Sequence, residues 1–253
     1  MLNGLTFNNK HSFADFGLVL KSYRNIKPSI RKREIEIPGK DGGYTFPLSS
    51  YNKRIISCKF SLIDCTTLQE LRQKAREISD WLSAENANLE FDDEAGKIYT
   101  ATVFNSIDAE EIATMQEFTV EFECQPFAFS ETITYTENVN SYTEFFITNI
   151  GTKPIHIGSQ EGALFIVKIT GSFDDITITV NETTINYTES ITDSEIIIDN
   201  CKGLVKKDGV NVIHNCSGDV GQFFALTPGE NLIEIDGTNL NCVVTIQFNP
   251  LWI

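Results

Sequence analysis

The chain has 253 residues, of which 20 are Lys or Arg and 35 Asp or Glu, giving a formal charge of −15 with 41% apolar and 11% aromatic residues. This length and apolar content fit one large or two ordinary folded domains and exclude a wholly disordered chain. The acidic balance argues against non-specific nucleic-acid binding, which rests on cation contacts to phosphate.

No run approaches the roughly 20 apolar residues that cross a bilayer, and the opening MLNGLTFNNKHSF lacks the regions of a signal peptide. The expectation is a chain with no membrane partner, made and kept soluble in a cytoplasm. Residues 1–59 hold eleven basic against four acidic residues (net +7), whereas residues 60–253 hold nine against 31 (net −22). Such polarity suits either a solvated acidic surface or a head-to-tail assembly in which a basic face meets an acidic one.

Strands are expected near residues 16–23, 30–37, 54–63 and 98–104. In the second, alternation puts Arg31, Arg33, Ile35 and Ile37 on one face and Lys32, Glu34 and Glu36 on the other. Three glycines in Pro38-Gly39-Lys40-Asp41-Gly42-Gly43 supply a tight turn, so that residues 30–59 read as one long hairpin. Its flanks carry Arg31, Arg33, Lys40, Lys53 and Arg54 without matching acids, and these are the candidate residues for contact with a neighbouring subunit. The plainer alternative is a charged stripe in solvent.

One helix is expected over residues 67–83, where Leu68, Leu71, Ala75, Ile78 and Leu82 recur at three- and four-residue steps. Thr67 followed by Glu70 forms a capping-box pattern, and Trp81 falls beside the apolar stripe as a core residue. Further on, Phe118, Val120, Phe122 and Cys124 alternate with Glu117, Thr119, Glu121 and Glu123, the signature of a strand with one buried and one wet face.

From residue 132 on only five Lys or Arg remain in 122 residues, and short β-branched runs recur between turn signals. Runs at 163–169, 176–180, 195–199, 210–213, 223–226, 232–235 and 242–248 suit an antiparallel sandwich. A second, all-β domain is therefore expected to begin near residue 132.

Catalytic patterns are thin. His11, His156 and His214 form no zinc motif, and there is no nucleophile elbow or phosphate loop. Asp92-Asp93-Glu94 lacks the spacing of a calcium loop and reads as a polar turn between strands. Cys216, two residues from His214, has no third group to orient a base and reads as a packed thiol. The six cysteines form no C-x-x-C pair, so six free thiols are expected, with no metal or cofactor.

As an ordered set, Asn3-Gly4-Leu5-Thr6-Phe7, Asp15-Phe16-Gly17-Leu18, the Ile37-to-Gly42 turn, Asp80-Trp81-Leu82, Leu89-Glu90-Phe91-Asp92-Asp93, Tyr99-Thr100-Ala101 and Phe122-Glu123-Cys124-Gln125-Pro126-Phe127 resemble the distal tail proteins of siphophages infecting Gram-positive bacteria. Asn149-Ile150-Gly151-Thr152, Ile198-Asp199-Asn200, the stretch from Leu226 to Asn231 and the terminal Phe248-Asn249-Pro250-Leu251-Trp252 resemble the galectin-like C-terminal domain of those proteins. The resemblance implies a mainly β fold: a β-sandwich-like ring domain over residues 1–131, with one α-helix and a long hairpin, and a galectin-like antiparallel β-sandwich over 132–253.

It further implies a non-enzymatic virion protein at the tail tip, assembled in the host cytoplasm as a hexameric ring. The C-terminal domains would be displayed outward. Such a ring would join the tail tube protein to the tail-tip hub or fibre protein, with DNA passing through its channel and no specific nucleic-acid binding. Within such a ring, Glu117, Glu121 and Glu123 are candidate channel-lining residues, the alternative being an outer solvent face. A carbohydrate-binding adhesion module touching the host wall and a wall-degrading enzyme are the competing readings. The first of these lacks the His-x-Asn-Pro-Arg set with which galectins grip a sugar.

Overall fold

The structure is a computed structural model that describes residues 4–23, 27–36, 38–39, 41–63, 67–105 and 117–253. Contacts divide it into two compact units, one running to Ala128 and including Ile253, the other from Phe129 to Trp252. The expected division was at 131/132.

In the first unit the strands are β1 (Leu5–Phe7), β2 (Lys10–His11), β3 (Leu18–Tyr23), β4 (Ile30–Glu36), β5 (Gly43–Tyr51), β6 (Arg54–Leu62), β7 (Ala87–Phe91), β8 (Ile98–Val103) and β9 (Glu117–Cys124). Seven of them form an antiparallel sheet in the order β2-β1-β7-β8-β9-β6-β3. The period-two pattern of β9 holds: Phe118, Val120, Phe122 and Cys124 are buried. Phe118 stacks on Phe60, which lies directly opposite on β6, at 5.6 Å between ring centres.

Among the described residues two α-helices accompany the sheet. The short α1 (Ser12–Phe16) is capped by the His11 ring, whose Nδ1 accepts from the backbone N–H of Phe13 and of Ala14. The longer α2 (Leu68–Leu82) begins at Thr67 with the expected capping box to Glu70. Leu71, Ala75, Ile78, Trp81 and Leu82 are its buried face, the larger side chains worth about 1.5–3 kcal/mol each. Leu68 departs from the expectation: at the first helical position it points away from the core and is 66% exposed. Trp81 is core, stacked on Phe16 at 4.6 Å, and its indole N–H donates to the Phe7 carbonyl at 2.7 Å.

The hairpin differs from its expected extent. β4 pairs with β5, not with β6, and the two form a separate two-stranded sheet. β6 instead lies between β9 and β3 in the main sheet. The arm is therefore residues 30–51.

The second unit follows β10 (Ala128–Phe129) with β11 (Ile133–Val139), β12 (Thr143–Asn149), β13 (Phe165–Phe173), β14 (Asp175–Val180), β15 (Thr183–Tyr187), β16 (Ile191–Asp199), β17 (Leu204–Lys207), β18 (Val210–Asn211), β19 (Cys216–Gly218), β20 (Gly229–Thr238), β21 (Asn241–Phe248) and β22 (Leu251–Trp252). One sheet runs β11-β21-β13-β16-β17-β18 and the other β12-β20-β14-β15-β19. Each buries alternate residues, such as Val167, Ile169 and Ile246 in the first and Ile178, Ile185 and Ile233 in the second. Phe173 meets Tyr187 edge-on at 6.1 Å across the two sheets. The Tyr135 hydroxyl on β11 accepts the backbone N–H of Thr148 on β12 at 3.4 Å.

The run 223–226 is no strand. Phe223 has φ +55°, and only Leu226 pairs, in an isolated bridge with Ile155. Its burial is sustained by side chains instead, since the Asn200 side-chain oxygen accepts from the Phe224 N–H at 3.1 Å.

Candidate assembly surfaces

On the arm, residues directly opposite one another share a face. Arg33 faces Phe46 across the β4–β5 pair, and Ile35, two residues along β4, lies on the same side. Both apolar side chains are open, Phe46 being 50% exposed. Arg33 has no ion-pair partner among the described residues. Arg31 donates from Nε to the Asn52 side-chain oxygen at 3.3 Å, which steadies the base of the arm. Lys40 lies outside the described residues. The apolar component is not visible in the sequence, because only the pairing of β4 with β5 sets Phe46 beside Arg33.

Two members of the expected contact set belong elsewhere. Arg54 is 4% exposed, because it is in phase with Ile56, Cys58, Phe60 and Leu62 on the inward side of β6. Its guanidinium lies over the Tyr99 ring and donates to the Tyr99 hydroxyl at 3.2 Å. Arg54 is thus engaged within its own unit. Lys53 is exposed and pairs with Glu123 at 2.9 Å, joining a residue of one candidate set to a residue of the other.

The acidic face of β9 is consequently less acidic than its sequence suggests. Glu117 pairs with Lys59 and lies 3.8 Å from Lys21, and the Lys59 hydrogen bond and charge hold its carboxyl below the usual range. Glu121 accepts a long hydrogen bond, 3.5 Å, from the Ser57 hydroxyl. Lysines from β6, β3 and the segment before β6 thus interleave with Glu117, Glu121 and Glu123, and the stripe is a balanced surface.

The arrangement offers little for chemistry. Asp92–Glu94 is a 3₁₀ turn between β7 and β8, as expected, and Asp92 accepts from the Gly4 N–H at 2.8 Å. Cys216 is half-buried, and burial pushes its thiol up to about 11, which leaves almost no thiolate at neutral pH. Cys58, Cys124, Cys201, Cys216 and Cys242 are in no disulfide, and Cys65 lies outside the described residues. Among the described residues no group of three or more His, Cys, Asp or Glu is placed to hold a metal ion, and no helix is long and apolar enough to cross a membrane.

The asparagines of the second unit's motifs are buried and serve the backbone. Asn149 donates to the Lys153 and Leu226 carbonyls and accepts from the Gly151 N–H. Asn200 joins the Phe165 carbonyl to the Phe224 N–H. Asn231 closes the turn at Thr227, and Asn249 accepts from the Leu164 N–H while donating to the Gly162 carbonyl. Buried amides satisfied in this way are frame, not binding site.

Residues 14–124 match the family model described as phage tail protein RIFT-related domain, and residues 158–252 match that described as siphovirus-type tail component, C-terminal domain. One match falls in each compact unit, which defines a structural component of a siphophage tail. Among solved structures, the Dit protein (gp 19.1) of phage SPP1, described as a paradigm of the hub adsorption apparatus in Gram-positive infecting phages, superposes with a TM-score of 0.72 over 100% of both chains at 13% identity. The chain belongs to the distal tail protein family of siphophages. No curated protein sequence matches it.

Proposed function

We propose that this tail protein is a ring adaptor of the adsorption apparatus, six copies joining the tail tube protein to the tail-tip hub or fibre protein around a channel for DNA. Residues 1–131 would form the ring and residues 132–253 a galectin-like sandwich carried by it, with assembly in the host cytoplasm. The observation that supports it most is the arm. A two-stranded sheet with open Ile35 and Phe46 beside Arg33 is marginal alone and gains its stability from a partner. A head-to-tail contact repeated around an axis closes into a ring. Arg31, Arg33 and Lys40 make up the proposed contact set; Lys53 stands at its edge, and Arg54 acts as a support within the chain.

The balanced β9 face, with Glu117, Glu121 and Glu123, is the proposed channel lining. Paired carboxylates and lysines leave no run of free cations to hold a sliding polyanion by counterion release. The role needs no catalysis and no cofactor.

The test is mass in solution across a dilution series for the wild type and for a chain with residues 39–50 shortened to a two-residue turn. The shortened chain should keep the fold of both units and associate more weakly. Unchanged assembly at low concentration would sink the arm's role, and a wild type that stays monomeric even when concentrated would sink the ring.

A further inference from the structure

We propose that the cleft at the C-terminal end of α2 receives an arginine side chain presented by a different protein of the tail. This goes beyond the ring reading and does not depend on it.

The cleft has a volume of about 270 Å³. Ser79, Leu82, Ser83 and Glu85, from the last turn of α2 and the residues just past it, line one side, and Thr102 and Val103 of β8 line the other. Its walls are fixed by hydrogen bonds. Asn86, at φ +49°, donates its N–H to the Thr102 hydroxyl at 2.9 Å and so ties the chain leaving the helix to β8. The Asn105 side chain donates to the Thr119 carbonyl at 2.9 Å and accepts the Glu121 N–H at 2.7 Å, which holds the far end of β8 against β9.

The chemistry of the cleft is one-sided. A helix leaves its last four carbonyls without donors of its own, and the negative end of its dipole favours a cation. In α2 the Ser83 N–H and hydroxyl both go to the Asp80 carbonyl, at 3.2 and 2.7 Å, and no basic residue stands in the last turn. Glu85 adds an exposed carboxylate with no ion-pair partner among the described residues. None of the residues lining the cleft is basic. Beneath this rim Leu82 is buried and Val103 half-buried.

An apolar floor under a rim of acceptors is the complement of a long basic side chain, whose stem is apolar and whose head is charged. The Glu85 carboxylate and the Ser79 and Ser83 hydroxyls share that rim. A guanidinium brings five donors in a fixed fork to such a set, where an ammonium brings a compact point charge. Phe104, next in the chain after Val103 and 62% exposed, offers an aromatic face at the margin on which a guanidinium can lie. The formal charge of −15 makes a basic partner the electrostatic complement of the whole chain.

The test titrates the isotope-labelled full chain with N-acetyl-arginine amide, with the lysine analogue and with the uncharged citrulline analogue, read by backbone NMR. The arginine probe should saturate, with shifts centred on residues 79–86 and 102–105. Glu85→Lys, and the citrulline probe on the wild type, should each weaken binding at least about tenfold, with melting curves as the folding control. Shifts scattered over the acidic surface without saturation, equal binding of the lysine probe, or undiminished binding by Glu85→Lys would each overturn the assignment. In phage particles Glu85→Lys should lower the yield of complete tails; a normal yield would show that no tail protein uses the cleft and would also overturn it. Mass in solution separates this site from the ring. Glu85→Lys should self-associate as the wild type does, and weaker self-association would give the arginine to a second copy and overturn the assignment to a different protein. A wild type that stays monomeric sinks the ring alone.

Discussion

Replacing Trp81 by Phe isolates the contact that seats α2 on its sheet. The change removes the N–H that donates to the Phe7 carbonyl at 2.7 Å inside a dry interface. A buried acceptor stripped of its donor costs about 1–3 kcal/mol. Two further ring carbons leave the contact with Phe16 and Phe7, at about 0.8 kcal/mol for each methylene-sized group. The sum is roughly 2–5 kcal/mol, falling on the first unit alone. Leu68→Ala, on the same helix but at a 66% exposed position, should cost under about 0.5 kcal/mol. Urea unfolding followed by far-UV circular dichroism, with the isolated second-unit transition as internal reference, gives both numbers. Equal effects from the two substitutions, or a Trp81 effect that appears in the second unit's transition, would refute the argument.

Two other outcomes are accessible. Gly171→Ala places a Cβ 2.4 Å from the Asn241 carbonyl oxygen at a φ of +139° and should destabilise the second unit by about 3 kcal/mol or more, read as a lowered melting temperature; a normal melt would mean that β13, whose register with β16 shifts between Gly171 and Phe173, relaxes freely there. Thiol titration in denaturant should count six groups. In the native protein Cys201 and Cys216, held up to about 11 by burial, should react before Cys58 and Cys124, at a rate rising about tenfold per pH unit between pH 7 and 10, while Cys58 and Cys124 wait for unfolding; early labelling of Cys124 would contradict their placement.

What was legible in the sequence was what local periodicity encodes. The α2 stripe, its Thr67–Glu70 cap and the alternation of β9 each follow from residues that are neighbours in the chain. The extent of β5 was not legible, because Gly42 and Gly43 read as turn and its strand state depends on β4 across the hairpin. β11 likewise shows little alternation, since most of its side chains are open and its place is set by β21. Arg54 could have been read: its parity with Ile56 and Cys58 marks an inward position, and the count of nearby basic residues obscured it. The pairing of Lys53 with Glu123 could not, because it depends on a register between strands 70 residues apart.

The four buried asparagines carry a consequence for how this sandwich can change. Each amide grips main-chain carbonyls and N–H groups of a loop, so what it specifies is a path of backbone and not the side chains that ride on it. Loop residues facing outward are thereby uncoupled from the scaffold, and a foreign segment of the same length should be graftable between two such anchors without a new core. The anchors themselves tolerate no near-equivalent: an aspartate has the shape of the amide but no donor, and would set an oxygen against an oxygen at every one of these carbonyls.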